Sequence, residues 1–553
     1  MLATLAAVLA VAASTGACGN DDATTAKNEA CSDGGCLPEA SAPDHDAGVD
    51  APTPTDAGHD VTDANPPPLC PTALDYGTIF TGGSISGEYV KIGFDTAKIT
   101  YRLEFVESSI PTSPGQVNTT RRGKTIHGTF VHPTTLPSSE QNRCAFVLQD
   151  GMTEDGAYTV TIDPKAPPTI FVGKDVVTGA IPGATISFAG IQPIPNVVLG
   201  SIPERTFASF QFLAFRETVT SFADVAGRYN ELGLHLTGTG SGNQTVTPQG
   251  WQPDAINWTE TFSADGSCQA EGSDYSCHTT GTPWTQRSNS DGSLDNVFVS
   301  KPLSGSVPYA YTGQISPLVL LAPSQAHGVM VVGKVGKQIV PLVIRVGYCH
   351  SDPANLLASV VDDQVGLSIL SPATVADPQA LEGRYTSVTS GSVCAEVNIN
   401  GVSATPASTN GLDATIPHPE LAGEYSGGLF HAAAGRCAEI PSFAAPSRVE
   451  YPSIRFTNDT ASFIDPAGSP VIAALTIDST QSTPGKLLVT AQAGLAASVA
   501  GADAGDGGDA GAGLPLFKAG DVGVLLSAGD VYALLMNNAQ YNPFFTVGLF
   551  AEP

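Results

Sequence analysis

ITYRLEFV, residues 99–106, places an apolar side chain at every second position over most of its length. Successive side chains of a strand point to opposite sides, so one face of this segment would be apolar. That face would carry Ile99, Tyr101, Leu103 and Phe105. Similar short runs, bounded by Gly, Pro, Ser and Asn, recur from Cys70 onward, and this pattern is typical of strands. The predicted fold class is all-β.

Composition supports this prediction and limits the function. The chain has 553 residues, including 59 Gly and 42 Pro, a content that disfavours long helices. Its 24 Lys and Arg against 53 Asp and Glu give a net charge of −29. A polyphosphate backbone is repelled by such a surface, so no nucleic-acid partner is expected.

A repeated element predicts tandem modules. It combines Gly, a charged residue and Tyr, and it occurs as SGEY, AGRY, EGRY and AGEY at residues 86–89, 226–229, 382–385 and 422–425. The glycine would permit a bend where a strand starts, and the tyrosine would pack at the end of a barrel or sandwich. We predict related β-barrel or β-sandwich modules at 70–198, 199–352 and 353–553. The alternative is a single β-propeller.

The amino-terminal segment indicates export. Residues 1–17 are uncharged and largely apolar, long enough for a signal peptide but shorter than a membrane-spanning helix. Small residues directly precede Cys18, as in bacterial lipoprotein signals, which makes Cys18 the predicted lipidation site. The alternative is an ordinary secretory signal, with Cys18 left as a thiol or disulfide partner.

Two segments have the composition of disordered spacers. Residues 18–69 are rich in Asp and Pro, and such a sequence cannot bury enough apolar surface to offset its ordering entropy. It is predicted to be a tether that holds the body away from a membrane. GADAGDGGDAGAG at 501–513 is predicted to be a low-complexity insertion in the last module.

Ten cysteines in an exported chain predict disulfides. The candidate pairs are Cys31 with Cys36, Cys70 with Cys144, Cys268 with Cys277, and Cys394 with Cys437. No metal site is predicted, because the adjacent Cys-His pairs at 277–278 and 349–350 lack the CxxC partner of tetrahedral zinc sites.

No motif identifies a catalytic residue or a cofactor. GVMVVGKV at 328–335 resembles a phosphate-binding loop but has Val where Ser or Thr must hold magnesium, and its apolar interior is typical of a buried strand. Neither GxSxG nor HExxH occurs. A hydrolase stays an alternative, because a catalytic triad is defined by geometry and can escape sequence patterns.

One local concentration of aromatic residues suggests a ligand. Trp251, Trp258 and Trp284 lie within 34 residues, accompanied by amide and carboxylate side chains. Exposed indole faces of this kind could stack on sugar rings, which makes the segment a hypothetical carbohydrate-binding loop. The alternative is that the three rings are partly buried under a long loop.

Three segments of the first predicted module carry a family resemblance. They are LCPTALDYGTIFTGGSISGEYVKI (69–92), GQVNTTRRGKTIHGTFVHPTTLPSSEQNRCAFVLQDG (115–151) and IFVGKDVVTGAIPGATISF (170–188). With GRYNELG, GVMVVGK and FFTVGLF further along, they resemble an uncharacterised family, a domain of unknown function, of bacterial exported or lipid-anchored β-rich proteins. The resemblance implies a location in the cell envelope, and it implies no activity or functional residue.

Together these observations predict a bacterial envelope lipoprotein, at the outer membrane or cell surface, that binds or scaffolds rather than catalyses. Its expected partners are the membrane, through the lipid, and a carbohydrate or an envelope protein. The alternatives are a secreted hydrolase acting on polymer or ester substrates and a structural coat component.

Overall fold

The computed structural model describes residues 68–552, except for 135, 137, 165–166, 196, 200, 238–251, 272–282, 301–326, 356–358, 363, 376–380, 390–429, 432–435, 438–452, 458, 465–470, 481–482, 494, 498–513, 518 and 538–543. Strands dominate the described residues, which confirms the all-β prediction. Residues 18–67 of the predicted tether, with Cys18, Cys31 and Cys36, lie outside them, as do Trp251, Cys277, Cys394 and the insertion at 501–513. No helix in the described part is long and apolar enough to cross a membrane.

The first module is an eight-stranded ring, which we call the N-terminal barrel. Its sheet runs in the order β4-β3-β2-β1-β11-β8-β7-β5-β6, and the pairing of β4 with β5 closes a ring of the first eight. The ninth strand, β6, pairs with β5 outside this ring. The strands up to β11, including the separate β9–β10 ribbon, are β1 (Ile79–Ser84), β2 (Tyr89–Asp95), β3 (Thr100–Glu107), β4 (Lys124–Val131), β5 (Ala145–Thr153), β6 (Thr159–Val160), β7 (Thr169–Val172), β8 (Val176–Phe188), β9 (Ile191–Ile194), β10 (Val197–Leu199) and β11 (Ile202–Phe215).

The second module is an open sheet of eight strands, which we call the central sheet. Its order is β14-β13-β12-β21-β18-β17-β16-β15, and β19 and β20 form a separate ribbon. The strands are β12 (Gly227–Thr237), β13 (Gln252–Phe262), β14 (Cys268–Ala270), β15 (Thr285–Ser288), β16 (Leu294–Val299), β17 (His327–Val335), β18 (Gln338–Val346), β19 (Tyr348–His350), β20 (Val360–Asp362) and β21 (Gln364–Pro372).

The third module is a closed eight-stranded barrel, which we call the C-terminal barrel. It is formed by β22, β25, β26, β27, β28, β31, β32 and β33, with two short ribbons beside it. The strands are β22 (Gly383–Thr389), β23 (Phe430–His431), β24 (Arg436–Cys437), β25 (Ser453–Phe456), β26 (Thr460–Ile464), β27 (Val471–Asp478), β28 (Leu487–Ala493), β29 (Leu495–Ala497), β30 (Leu514–Phe517), β31 (Val522–Ala528), β32 (Val531–Asn537) and β33 (Phe544–Glu552). Closed rings and an open sheet rule out the propeller alternative.

The alternation that predicts β3 is confirmed except at its first residue. Tyr101, Leu103 and Phe105 are buried inside the N-terminal barrel. Ile99 lies before the strand, with a φ of 57° and 37% of its surface exposed. The prediction that Ile99 shares the apolar face is therefore wrong, because the chain is still turning from β2 into β3 at this residue.

The repeated element lies at the start of one strand in each module. Residues 86–89 lead into β2, 226–229 into β12 and 382–385 into β22, while the fourth copy lies outside the described residues. Gly87 has a φ of 73°, and a Cβ there would lie 2.3 Å from the carbonyl oxygen of Arg345 on β18. A glycine is required at this point, because the barrel and the central sheet approach each other too closely for any side chain.

A disulfide and two hydrogen bonds, which together we call the staple, fix the start of the described chain to the N-terminal barrel. Cys70 and Cys144, a pair predicted from the sequence, form a disulfide. Cys144 ends the helix α1 (Ser139–Cys144), whose N-terminus is capped by the Ser138 hydroxyl. Arg143 of the same helix donates to the carbonyl oxygens of Cys70 (3.0 Å) and Pro71 (2.9 Å). Because stable disulfides form in oxidising compartments, this pair indicates export.

The predicted module boundaries can be compared with the strand pairings. β11 follows residue 198 and pairs with β1 and β8 of the N-terminal barrel. β21 follows residue 352 and pairs with β12 and β18 of the central sheet. In both cases, the strand that comes last in the sequence of a sheet lies after the predicted module boundary: β11 lies after residue 198, and β21 lies after residue 352.

Candidate functional site

A polar cleft lies where the N-terminal barrel meets the central sheet. Its volume is about 250 Å³. The barrel contributes the end of β3 and the connection from β3 to β4, and the sheet contributes the start of β17 and the segment from β18 to β19. We call it the junction cleft, and the polar side chains at its wall include Glu107, Asn118, Thr120, Arg122, His327 and His350.

A β-bulge turns Glu107 toward the cleft. In the pairing of β2 with β3, Val90 lies opposite Phe105, and Tyr89 lies opposite Glu107. Val106 is thus an extra residue. In a regular strand without the bulge, Glu107 would lie two residues after Phe105 and would share its barrel-interior face. The bulge places Glu107 on the same face as Tyr89, the face that meets the central sheet.

Glu107 is held by two side chains of the central sheet, Arg287 and His327. Its Oε1 accepts from Arg287 Nε, and its Oε2 is hydrogen-bonded to His327 Nε2. Burial alone would raise the pKa of Glu107. The hydrogen bond and charge of His327 and those of Arg287 outweigh burial and lower this pKa to about 2. Glu107 is therefore ionised throughout the neutral and mildly acidic range.

Arg287 links Glu107 to a second carboxylate, Asp295. Arg287 Nη1 lies 3.0 Å from Asp295 Oδ2, and Lys91 Nζ lies 2.9 Å from Asp295 Oδ1. The Tyr89 hydroxyl donates to Asp295 Oδ2 at 2.9 Å. Burial raises the pKa of Asp295, but the Lys91 ammonium and the other donors lower it below its ordinary value. The two carboxylates, Arg287 and Lys91 thus form one charge-compensated network at the cleft, with His327 at its edge.

The opposite wall of the cleft is tied down by an amide clamp. Asn118 Nδ2 donates to the Ser351 carbonyl oxygen at 2.8 Å, and Ser351 N donates to Asn118 Oδ1 at 2.9 Å. This pair joins the connection from β3 to β4 to the segment that follows β19. The clamp and the charge network fix both sides of the cleft, so its shape exists before any ligand binds.

A buried ion pair closes the end of the N-terminal barrel behind the cleft. Glu88 accepts from Ser86 (2.8 Å), Ser108 (2.7 Å) and Arg121 (3.4 Å). Burial raises the pKa of Glu88, and the Arg121 charge opposes this rise without cancelling it. Ser108 also lines the cleft, so the buried pair and the cleft share one wall.

The central sheet contains a buried pair of a different kind, formed by two carboxyl groups. Glu260 lies in the interior and interacts with Glu231 on the neighbouring strand through a hydrogen bond. Burial raises the pKa of Glu260 to about 8, opposed in part by that hydrogen bond. The shift has the opposite sign to that of Glu107, because no cation offsets the burial in the pKa balance of Glu260.

Two of the three tryptophans predicted from sequence for carbohydrate binding lie among the described residues. Trp284 is 2% exposed and belongs to the core of the central sheet, and Trp258 is half-buried against the same core. Trp251 lies outside the described residues. The structure thus brings Trp258 and Trp284 to one apolar cluster, and carbohydrate binding by these tryptophans stays a prediction.

The remaining predicted cysteines are described only in part. Cys268 is disulfide-bonded, and Cys437 lies on β24. The sulfur of Cys349, which was left over by the predicted pairs, is half-buried at the junction cleft. No group of His, Cys, Asp or Glu that could hold a metal ion occurs in the part of the chain that the structure describes.

The grouping of the cleft residues could not be predicted from the sequence. Glu107 is 180 residues from Arg287 and 220 residues from His327. No short motif joins them, and only the sheet pairing brings them together. The one local signal is Glu107 itself, a carboxylate at the last position of a strand with an apolar face.

These features define a class: an all-β protein in which two eight-stranded barrels flank an open eight-stranded sheet in the chain. The chain belongs to the family described as Protein of unknown function (DUF2957), which matches residues 100–549. No curated protein matches the chain.

Solved structures give distant matches. One is a double mutant of Transferrin Binding Protein B from Haemophilus parasuis Hp5, with a TM-score of 0.22 and 7% identity over 85% of this chain and 66% of that chain. Another is intact Ap-TbpB with its N and C lobes, with a TM-score of 0.20 and 6% identity over 86% of this chain and 68% of that chain. The chain spans about two thirds of the length of these structures.

Proposed function

We propose that this protein is an exported protein of the bacterial cell envelope that binds a ligand in the junction cleft. The cleft carries this proposal because it is concave, polar, formed by two modules and fixed on both sides. Preformed concave sites with a few oriented polar groups are typical of ligand-binding proteins, since little ordering entropy is lost on binding.

The same proposal includes a lipid anchor at Cys18 and a tether at residues 18–69. The uncharged segment before Cys18 and the acidic, Pro-rich composition after it support the anchor, and the disulfide of Cys70 with Cys144 supports export. Radiolabelled palmitate should enter the wild-type protein and the Cys31→Ser variant but not Cys18→Ser. Equal labelling of all three proteins would refute lipidation at Cys18.

Binding in the cleft can be tested by filling it. Thr120 lines the cleft, whereas Gln116 is exposed on the same connection and does not line it. The protein purified from envelopes would be analysed by native mass spectrometry for molecules that it retains. We expect a retained mass on wild type and Gln116→Trp and its loss from Thr120→Trp. Retention by all three proteins, or by none, would contradict the proposal.

A second function, hydrolysis, is favoured by one observation. His327 is hydrogen-bonded to Glu107, and both line the cleft together with Cys349. A carboxylate that orients an imidazole, in a cleft that a cysteine also lines, supplies the residue types of a nucleophilic site. If the protein is a hydrolase of this kind, purified wild type cleaves p-nitrophenyl esters and both Cys349→Ala and His327→Gln abolish the reaction. If the protein only binds, the rate of all three equals the buffer rate.

A further inference from the structure

We infer that the junction cleft takes a small oxyanion, a carboxylate or a phosphate monoester, that carries a short apolar group. This inference rests on the proposed binding function and specifies the ligand chemistry of the same cleft. It follows from two properties of the wall: an arginine with no ion pair, and an apolar recess that adjoins the polar space.

The charges at the cleft leave a single cation uncompensated in the described residues. Glu107 and Asp295 are balanced by Arg287 and Lys91. Arg122 is exposed at the cleft, and its guanidinium forms no ion pair with any described residue. In a chain with 53 acidic and 24 basic residues, carboxylates outnumber their potential partners, so an arginine left without a carboxylate at a concave site favours an anionic ligand.

The donor geometry also suits an oxyanion. The planar guanidinium of Arg122 can donate two parallel hydrogen bonds to a carboxylate or phosphate group. Thr120 Oγ1 accepts from the backbone nitrogen of Arg122 at 3.3 Å, so the hydroxyl is held beside the main chain of Arg122 while its own proton is still available for donation. Arg122 and Thr120 therefore offer adjacent donors on one wall.

An apolar recess adjoins this polar space. Its volume is about 30 Å³, and it shares Ser109, Val117 and Cys349 with the wall of the cleft. Its other lining residues include Ile110, Ile186, Phe207, Phe210, Leu236 and Val365. A space of this size holds roughly one or two non-hydrogen atoms. A ligand that places its oxyanion at Arg122 can thus bury a short hydrocarbon end in the recess.

The test measures binding to the full-length, lipid-bearing protein in detergent by isothermal titration calorimetry at pH 7. The probes are butyrate, ethyl phosphate, formate, inorganic phosphate and the neutral analogue butyramide. We expect butyrate or ethyl phosphate to bind at least tenfold more tightly than butyramide, and the stronger of the two identifies the oxyanion. Equal affinity for butyrate and butyramide, or no binding of any anion, would overturn the inference.

Two variants locate the site. Arg122→Gln should weaken binding of the preferred anion at least tenfold, and the exposed Arg102→Gln, on the outer face of the same barrel, should not change it. Val117→Phe should remove the preference for butyrate over formate, and a wild-type circular dichroism spectrum would show that the variant is folded. An equal loss in Arg122→Gln and Arg102→Gln, or a preference that persists in Val117→Phe, would contradict the assignment.

The two proposals fail in different ways. If no probe anion binds but Thr120→Trp still loses the mass retained from envelopes, the cleft binds a ligand of another class and only the present inference is wrong. If Thr120→Trp and Gln116→Trp behave alike, the binding function assigned to the cleft is wrong as well.

Discussion

The N-terminal barrel and the C-terminal barrel use the same repeated element in opposite ways. In the N-terminal barrel, the Tyr89 hydroxyl leaves the barrel and donates to Asp295 of the central sheet. In the C-terminal barrel, Tyr385 packs in the interior, with ring centroids 5.3 Å from both Phe456 and Tyr532. In the central sheet, Tyr229 also packs inside, against Phe262.

The difference shows that the element specifies a strand start rather than a function. Its glycine has a positive φ in all three described copies, at 73°, 154° and 133° for Gly87, Gly227 and Gly383. What the neighbouring tyrosine does depends on the face of the strand that carries it. Among the three described copies, the N-terminal one directs its tyrosine hydroxyl to a neighbouring module, and its Tyr89 lies opposite Glu107 of the junction cleft.

The largest expected effect lies in the C-terminal barrel. Tyr385→Ala removes a ring that contacts three aromatic side chains. It should lower the free energy of unfolding by about 3–5 kcal/mol, the range for truncation of a buried aromatic residue. Urea unfolding followed by tryptophan fluorescence and circular dichroism would measure this. A loss below about 1 kcal/mol would show that the ring is not a core element.

The next effect is a pH dependence that arises at the junction cleft. The folded-state pKa of Glu107 is about 2, below its ordinary value of 4.5. The stabilising effect of its ionised form is complete above pH 4.5 and disappears as the pH falls to 2. From the shift we expect about 3 kcal/mol over this window.

Denaturant unfolding at a series of pH values tests this window. The Glu107→Gln variant should lose stability at neutral pH and show a flatter profile between pH 4.5 and 2 than wild type. Glu104→Gln, on the same strand but with its side chain 38% exposed, is the control and should keep the wild-type profile. A Glu107→Gln profile parallel to that of wild type would contradict the described network.

A smaller effect distinguishes the two tyrosines directly. Tyr89→Phe removes a donor to a buried carboxylate and should cost about 2 kcal/mol. Tyr385→Phe should cost less than about 0.5 kcal/mol, because the Tyr385 hydroxyl has no hydrogen-bond partner among the described residues and the ring is kept. Parallel unfolding curves of the two variants would measure the difference, and equal losses would contradict the contrast between the barrels.

The smallest effect concerns the charged position of the element in the central sheet. Arg228 pairs with Glu271, and both side chains are more than a third exposed. Arg228→Gln should change the free energy of unfolding by at most about 1 kcal/mol, and this change should vanish in 1 M salt, because exposed ion pairs are weak and screened. A larger loss that persists in salt would mean that Arg228 contributes through packing.

Local patterns allowed the strands to be predicted, since burial of one face follows directly from alternation, as at Tyr101, Leu103 and Phe105. Ile99 shows the limit of this rule. Its apolar side chain continues the alternation in the sequence, but the turn between β2 and β3 has not yet ended there. The bulge at Val106 could not be predicted from the sequence either, because one extra residue does not change the composition of an apolar run.

The candidate site could not be predicted, for a different reason. Its polar groups come from segments some 200 residues apart and meet through sheet pairing. The tryptophans, by contrast, are close in sequence, yet Trp284 is interior. Proximity in sequence therefore made the tryptophans easy to single out, and distance in sequence concealed the charged residues of the cleft.

The staple at the start of the described chain determines how the body responds to mechanical load. A pull applied at residue 68 reaches a covalent cross-link at Cys70, two residues later, and passes through Cys144 to the start of β5. The first strand, which begins at Ile79, is thereby shielded from being peeled off its neighbours. Chemical reduction would reroute the same tension into β1 and its hydrogen bonds, which could then open one pair at a time.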